Sequence, residues 1–426
     1  MSYGFADAAR SRVAVLRNRQ FRRLLAGRAV SVLGDGLYSV AAMWLVYEMT
    51  GSTAYTGLAG FLSRAPGILK VFVGPLVDRA PLGRTLTLSE LAQASLVLLV
   101  PIAAAFGHLN VVVVLTVMPL LALANLFSGP AQNATIPRIV PDERLVRANS
   151  VGQVVTKASD ATARGVAGVL IAAIGGVALY LVDAATFVLA AILLGSLSIP
   201  ARESEKSGSS DADAFDFDGY VEDLREGLDL LADSVLGRML VASLFANFLT
   251  GVALAVLPAF AEGIGGAELY GLLLAGMTVG TVAGSVLASF FDRYPLGRTT
   301  IAGLVVSGLA WAGAVVLPGR LLTVALFAAS RVPLGVYNVS VSATLQTGVP
   351  DDLLGRVSAV VGSATSLVLP AGMLLGGLAG TRFGSNSVMF ASALGSVLMA
   401  GYWLAIPSLR RFGPPTEVAS GEFYRA

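Results

Sequence analysis

Ten ionisable side chains lie inside stretches otherwise too apolar for water: Arg28, Asp35, Arg64, Lys70, Glu90, Lys157, Asp160, Arg164, Asp183 and Arg331. A charge at the centre of a bilayer costs about 2.5–3.5 kcal/mol on insertion scales, so each is a functional candidate by default. Asp35 falls about a dozen residues into its apolar run, near mid-depth for a membrane helix. A carboxyl group there can be protonated and neutral, or ionised and paired, which is the property a proton-coupling site needs. Two other roles are open to it: a permanent ion pair with Arg28, seven residues away on the same helical face, or with Arg164, and simple cavity lining. Lys157, Asp160 and Arg164 recur at i, i+3 and i+7, hence on one face of one helix. Asp160 is the second candidate proton carrier, with neutralisation of Lys157 and Arg164 as its alternative role. Nine of the ten charges belong to the N-terminal half; Arg331 stands alone in the other.

The elements that must position these groups are membrane helices. Hydrophobic residues make up 55% of 426 positions and charged residues 13%, against about 25% charged in soluble domains, and the mean hydropathy is +0.76. A span needs roughly 20 apolar residues. Runs of that kind are predicted near 23–49, 55–77, 85–106, 110–133, 149–174, 177–198, 238–261, 269–290, 299–318, 321–346, 355–380 and 385–407. The fold class expected is therefore an all-α integral membrane protein of twelve helices in two six-helix bundles. The bundles, 23–199 and 238–407, are flanked by a segment 1–22 and a tail 408–426 and joined by a linker 200–237. The linker runs through Ser207-Gly208-Ser209-Ser210 into an acidic stretch. There Val221, Leu224, Leu228 and Leu231 at helical spacing predict an amphipathic surface helix.

Basic residues sort by side. With the N-terminus inside, 21 Lys and Arg fall in cytoplasmic segments and two, Arg320 and Arg382, on the opposite face, so both termini are expected in the cytoplasm. That sorting also accounts for the net charge of +2 without a nucleic-acid partner. No cleavable signal peptide is expected, because the first apolar run is too long for one. With no cysteine and His108 as the single histidine, neither disulfides nor Cys- or His-based metal sites are available, and neither metal nor cofactor is expected. An enzyme is not expected either, for want of an Asp-rich phosphate motif, HExxH or a nucleophile elbow.

The halves repeat each other. Asp78-Arg79-Ala80-Pro81-Leu82-Gly83-Arg84 follows the second span, and Asp292-Arg293-Tyr294-Pro295-Leu296-Gly297-Arg298 follows the eighth. Val140-Pro141-Asp142-Glu143 and Val349-Pro350-Asp351-Asp352 occupy matching loops later in each half. Such an internal repeat is a recurrent transporter design. Gly74-Pro75-Leu76-Val77-Asp78-Arg79 with Gly83 and Arg84 resembles the loop motif of the major facilitator superfamily, lengthened by one residue through Pro81. Gly74 would permit close helix approach, and Asp78 would pair with basic groups and latch one conformation. The alternative is a pair of stop-transfer charges.

Further residues resemble the drug:proton antiporter branch that includes macrolide efflux proteins and the enterobactin exporter. They are Leu33-Gly34-Asp35 with Trp44 to Ser52, Pro130-Ala131 with Ile136-Pro137, Ala148-Asn149-Ser150, Asp183 to Phe187 and Asp223 to Gly227. One departure lies in the fifth span, where the branch's G-P-x-x-G-G-like motif is matched by Ala163-Arg164-Gly165-Val166-Ala167-Gly168, with Arg164 in place of proline. The resemblance implies proton-coupled export of a hydrophobic or amphipathic small molecule by a monomer in the cell membrane. Asp35 and Asp160 would carry protons. Arg28, Lys157, Arg164 and Arg331 would be cavity charge partners, Arg331 by contacting substrate or gating. Gly74, Asp78, Arg79, Gly83, Arg84, Asp292, Arg293, Gly297 and Arg298 would form cytoplasmic gates. Asp183 and Glu90 fall on helices placed by the resemblance at the periphery and are expected to be structural. An importer or facilitator of the same fold, and a non-transporting receptor or lipid scramblase, remain as rival readings.

Overall fold

A computed structural model describes residues 15–69, 73, 80–200, 222, 225, 228, 229, 231 and 234–417. Gly74, Asp78 and Arg79 of the first loop motif, Lys70, and most of the 200–237 linker, Val221 and Leu224 included, lie outside the described residues. The elements used below are α1 Arg19–Thr50, α2 Thr53–Arg64, α3 Leu82–Ala105, α4 Val111–Asn125, α5 Ser128–Ile139, α6 Leu145–Ile174 and α7 Gly176–Gly195. They continue as α8 Val235–Glu262, α9 Gly266–Phe291, α10 Leu296–Val316, α11 Arg320–Ala329, α12 Val332–Gly348, α13 Asp351–Phe383 and α14 Ser385–Ala405. No strand occurs among the described residues.

Ten stretches among the described residues are long and apolar enough to cross a membrane. The two other predicted spans correspond to α2, which leads towards residues outside the described set, and to α6. At 30 residues α6 is long enough to span, but the polar stripe carrying Lys157, Asp160 and Arg164 lowers its hydropathy. The all-α membrane architecture is thus the expected one, but its fourth and tenth spans are not single helices. The fourth is broken at Leu126–Phe127 into α4 and α5, and the tenth at Ser330–Arg331 into α11 and α12. Each second piece opens with a proline in its first turn, Pro130 and Pro333. Proline offers no N–H to the carbonyl four residues back, so the chain can turn there at little further cost.

Contacts divide the chain into two compact units, Met1–Leu45 with Pro66–Phe215 and Val46–Ala65 with Asp216–Ala426. The second unit therefore includes α2, whose Thr53 hydroxyl donates to the Gly377 carbonyl at 2.8 Å and whose Thr56 hydroxyl donates to the Ala255 carbonyl at 2.6 Å. Equivalent pairs recur in the two units: α3 packs on α7, and α10 on α14. The turn from α6 to α7 and that from α13 to α14 each pivot on one glycine, Gly175 and Gly384, both at φ +83°. A side chain there would be strained in the left-handed region, so the repeat extends to the backbone of its turns.

Side-chain caps hold two helix starts. Asn110 accepts from the Val113 N–H at 3.1 Å before α4, and Ser234 from the Gly237 N–H at 3.1 Å before α8. In the second unit, the chain beyond α14 returns to the loop before α10. There the Leu296 N–H donates to the Gly413 carbonyl at 3.0 Å and the Gly297 N–H to the Phe412 carbonyl at 3.3 Å.

Candidate functional site

Four membrane helices of the first unit carry short polar stripes at helical spacing. They are Ser31, Asp35 and Tyr38 on α1; Glu90 and Gln93 on α3; Asn125 with Ser128 and Gln132 across the α4–α5 break; and Tyr180 and Asp183 on α7. Each stripe would be costly against lipid, and folding removes that cost by joining them. The Asn125 amide donates from Nδ2 to Asp35 Oδ2 at 3.2 Å and to Gln93 Oε1 at 2.9 Å. Ser31 and Ser128 donate their hydroxyls to the same oxygen, Glu90 Oε1, at 3.2 and 3.0 Å, and Gln132 Nε2 donates to Ser128 Oγ at 3.0 Å. The break between α4 and α5 places Asn125 against one carboxyl group and Ser128 against another.

Asp183 reaches the same region from α7. An added methyl group on Gly34, the residue before Asp35, would collide with Asp183 Oδ1 and Thr186 Oγ1, so α1 and α7 meet at a position that admits no side chain. Thr186 donates to Asp183 Oδ1 at 3.4 Å. Glu90 and Asp183 are fully buried, while Asp35 is half-buried. Glu90 Oε2, Asp183 Oδ2 and the hydroxyls of Tyr38 and Tyr180 are buried without a hydrogen-bond partner, the two rings meeting edge to face at 5.5 Å. The side chains of Glu90, Asp160 and Arg164 all act electrostatically on Asp35, and Asp35 and Glu90 both act on Asp183. Asp35, Glu90 and Asp183 thus form a three-carboxyl cluster held mainly by neutral hydroxyls and amides.

Relative to expectation, Asp35 is central to the cluster, but its hydrogen-bond partner is Asn125. No Asp35–Arg28 ion pair is present among the described residues; a methyl group on Gly152 of α6 would lie 3.8 Å from the Arg28 guanidinium, which places Arg28 against α6. Asp160 and Arg164 pair with each other, Oδ1 to Nε at 2.8 Å, both partly exposed, and Lys157 is exposed. Close approach of α1 to α6, where a methyl on Gly36 would lie 2.5 Å from that of Ala163, brings this pair to the edge of the cluster. Glu90 and Asp183 are corrected from peripheral structural residues to members of the cluster. The signal available was the polar partner on the same face of each helix, which a residue-by-residue reading passes over.

In the second unit, Arg331 is 5% exposed at the α11–α12 break, its guanidinium carbon 4.4 Å from the Trp311 ring centre and 5.1 Å from that of Phe327. Asp292 ends α9, its carbonyl accepting from Thr416 Oγ1 at 3.4 Å, while Arg293 and Arg298 are exposed. Gly83 and Arg84 stand in the first turn of α3 and Gly297 and Arg298 in that of α10, so the described parts of the two loop motifs are equivalent in structure. Among the described residues no group of three His, Cys, Asp or Glu side chains could hold a metal ion.

Comparison with known proteins gives this arrangement a family. The model of the Major Facilitator Superfamily matches residues 24–367. Macrolide efflux protein A of Streptococcus pyogenes is 24% identical over 375 residues, covering 86% of this chain and 91% of that one. The multidrug efflux pump Tap of Mycolicibacterium fortuitum is 25% identical over 387 residues, covering 88% and 93%. Both relatives fall in the efflux branch that the sequence motifs resemble. Among solved structures, a bacterial homologue of the human lysosomal transporter Spinster superposes with a TM-score of 0.70 at 15% identity, covering 93% of this chain and 97% of that one. The nucleoside transporter NupG superposes with a TM-score of 0.68 at 14% identity, covering 91% and 98%; at these identities both show the fold alone. The repeat, the polar helices and the family match converge: the chain belongs to the Major Facilitator Superfamily and is a multi-pass membrane transporter of small molecules, not an enzyme.

Proposed function

We propose that the protein exports a hydrophobic or amphipathic small molecule, of the drug, macrolide or siderophore-like kind, in exchange for protons across the cell membrane, with both termini cytoplasmic. The observation that carries this reading is the cluster of Asp35, Glu90 and Asp183. It has more carboxyl groups than charged partners, so its net charge depends on how many protons it holds. A transporter that alternates its access can load such a group from one side and unload it to the other. In this scheme Asp35, half-buried and within electrostatic reach of Asp160 and Arg164, exchanges protons with the aqueous path. Glu90 and Asp183, fully buried behind it, store them.

Asp160 neutralises Arg164 in the state described and becomes a second acceptor when that pair opens. Spans one to six carry the coupling, and spans seven to twelve complete the substrate path as a monomer. The repeated loops, including Asp78, Arg79 and Arg84 in one half and Asp292, Arg293 and Arg298 in the other, favour one access state over the other. The names of the macrolide and multidrug efflux relatives support export as the direction.

Cells stripped of their own efflux pumps and expressing the protein should accumulate less labelled macrolide or lipophilic cationic dye than cells with an empty vector, and a protonophore should restore accumulation. Raised accumulation would instead identify an importer. Export unaffected by the protonophore would remove proton coupling.

A further inference from the structure

The second unit contains a cavity of about 730 Å³ that the carboxyl cluster does not touch. Its size lies within the roughly 300–1,000 Å³ of small-molecule sites. Its walls come from α8, α9, α10, the α11–α12 break and α14, and no acidic side chain is among them. The rim is apolar, with Leu287, Phe290, Phe291 and Val306 all exposed. Into this space projects Arg331, whose Nε and Nη2 are buried with no hydrogen-bond partner. These nitrogens share one edge of the guanidinium, the edge that receives both oxygens of a carboxylate. Trp311 and Phe327 supply ring faces but no acceptor, and a buried cation without an anion or acceptor is costly.

We propose that this cavity binds an amphipathic carboxylate, its oxyanion on the Nε and Nη2 edge of Arg331 and its apolar body along Leu287, Phe290 and Val306. The position of the arginine selects the class. Arg331 lies eleven residues from the start of α11, about 16 Å along the axis and so deep in a hydrocarbon layer of about 30 Å. A phospholipid phosphate is held at the membrane surface by its headgroup, whereas a free amphipathic acid can bring its carboxylate to that depth. The cation for a surface phosphate would be Arg298, which also lines the cavity but stands in the first turn of α10. Because both nitrogens are closed off, binding draws the guanidinium off the Trp311 ring, and tryptophan fluorescence reports the event. The site is independent of the proton-coupling reading, since none of its residues belongs to the carboxyl cluster.

The test uses the full chain in phosphatidylcholine nanodiscs, titrated with laurate and with dodecanol, with empty nanodiscs as reference. Laurate is expected to bind roughly tenfold or more tightly than dodecanol, the scale of a charge-assisted hydrogen-bonded pair. Arg331→Gln should bring laurate down to the affinity of dodecanol and leave dodecanol unchanged. Val306→Trp, which fills the cavity, should weaken both. Equal affinity of the unsubstituted protein for the two ligands would overturn the proposal by leaving Arg331 a packing residue, and that comparison needs no variant to fold. A laurate preference that survives Arg331→Gln, or binding untouched by Val306→Trp, would also overturn it. Displacement of laurate by phosphatidylglycerol, lost in Arg298→Gln, would make the occupant a lipid headgroup and overturn it as well.

Discussion

Glu90 shows what a buried carboxyl group needs in order to be useful. One oxygen accepts two hydroxyls, from Ser31 and Ser128, while the other has no partner. Glu90→Gln preserves the accepting oxygen and removes the titration. The variant should fold with a melting temperature in detergent close to that of the parent, while the pH dependence of its transport changes; an unaltered pH profile would take Glu90 out of the proton store. Gly34 is the companion case. Gly34→Ala would press its methyl into Asp183 and Thr186 and should cost about 1–3 kcal/mol of stability, as overpacking does, whereas Gly129→Ala, with open space around the new methyl, should cost far less. Thermal melts of the two variants side by side check this. At this scale Asp35, Asp160 and Arg164 were legible in the sequence because charges in apolar runs stand out. Glu90 and Asp183 were visible too, but their place was not. Which face of a helix meets which neighbour is decided by long-range packing, and the partners Asn125 and Gln93 carry no charge to draw attention.

Among the elements, the broken helices carry the chemistry. The α4–α5 break turns Asn125 and Ser128 towards two different carboxyl groups, and the α11–α12 break presents Arg331 to its cavity. These pieces derive from the fourth and tenth spans, which correspond in the repeat, and each break is followed by a proline. Pro130→Ala and Pro333→Ala restore an N–H that the carbonyl four residues back can accept, so neither should lower the melting temperature. Transport should nonetheless fall several-fold in each, because a straighter helix rotates Asn125 and Ser128, or Arg331, away from its partners. Unimpaired flux in both would show the breaks to be incidental. The sequence predicted these spans as unbroken because proline inside an apolar run reads equally as a kink or as nothing, and only packing decides. The Gly175 and Gly384 turns were likewise unreadable in advance, since glycine is abundant throughout, with 48 in the chain.

For the whole molecule, hydropathy and the repeated loops were enough to indicate a two-half membrane transporter, because lipid imposes helices and loop charges survive duplication. Orientation is checked directly in a chain with no native cysteine. In intact cells Arg320→Cys should label with an impermeant maleimide and Arg411→Cys should label only after permeabilisation; the reverse pattern would invert the topology. The two halves are chemically unlike, with buried carboxyl groups in one unit and a buried guanidinium in the other, so duplication was followed by division of labour. The central claim is that the cluster around Asp35 couples export to protons. The direct measurement is substrate-driven proton flux, read by an internal pH dye, in proteoliposomes of the unsubstituted protein and of Asp35→Asn. The account predicts proton movement on adding substrate to the former and none with the latter, which should still bind substrate. Equal proton flux in both would contradict it.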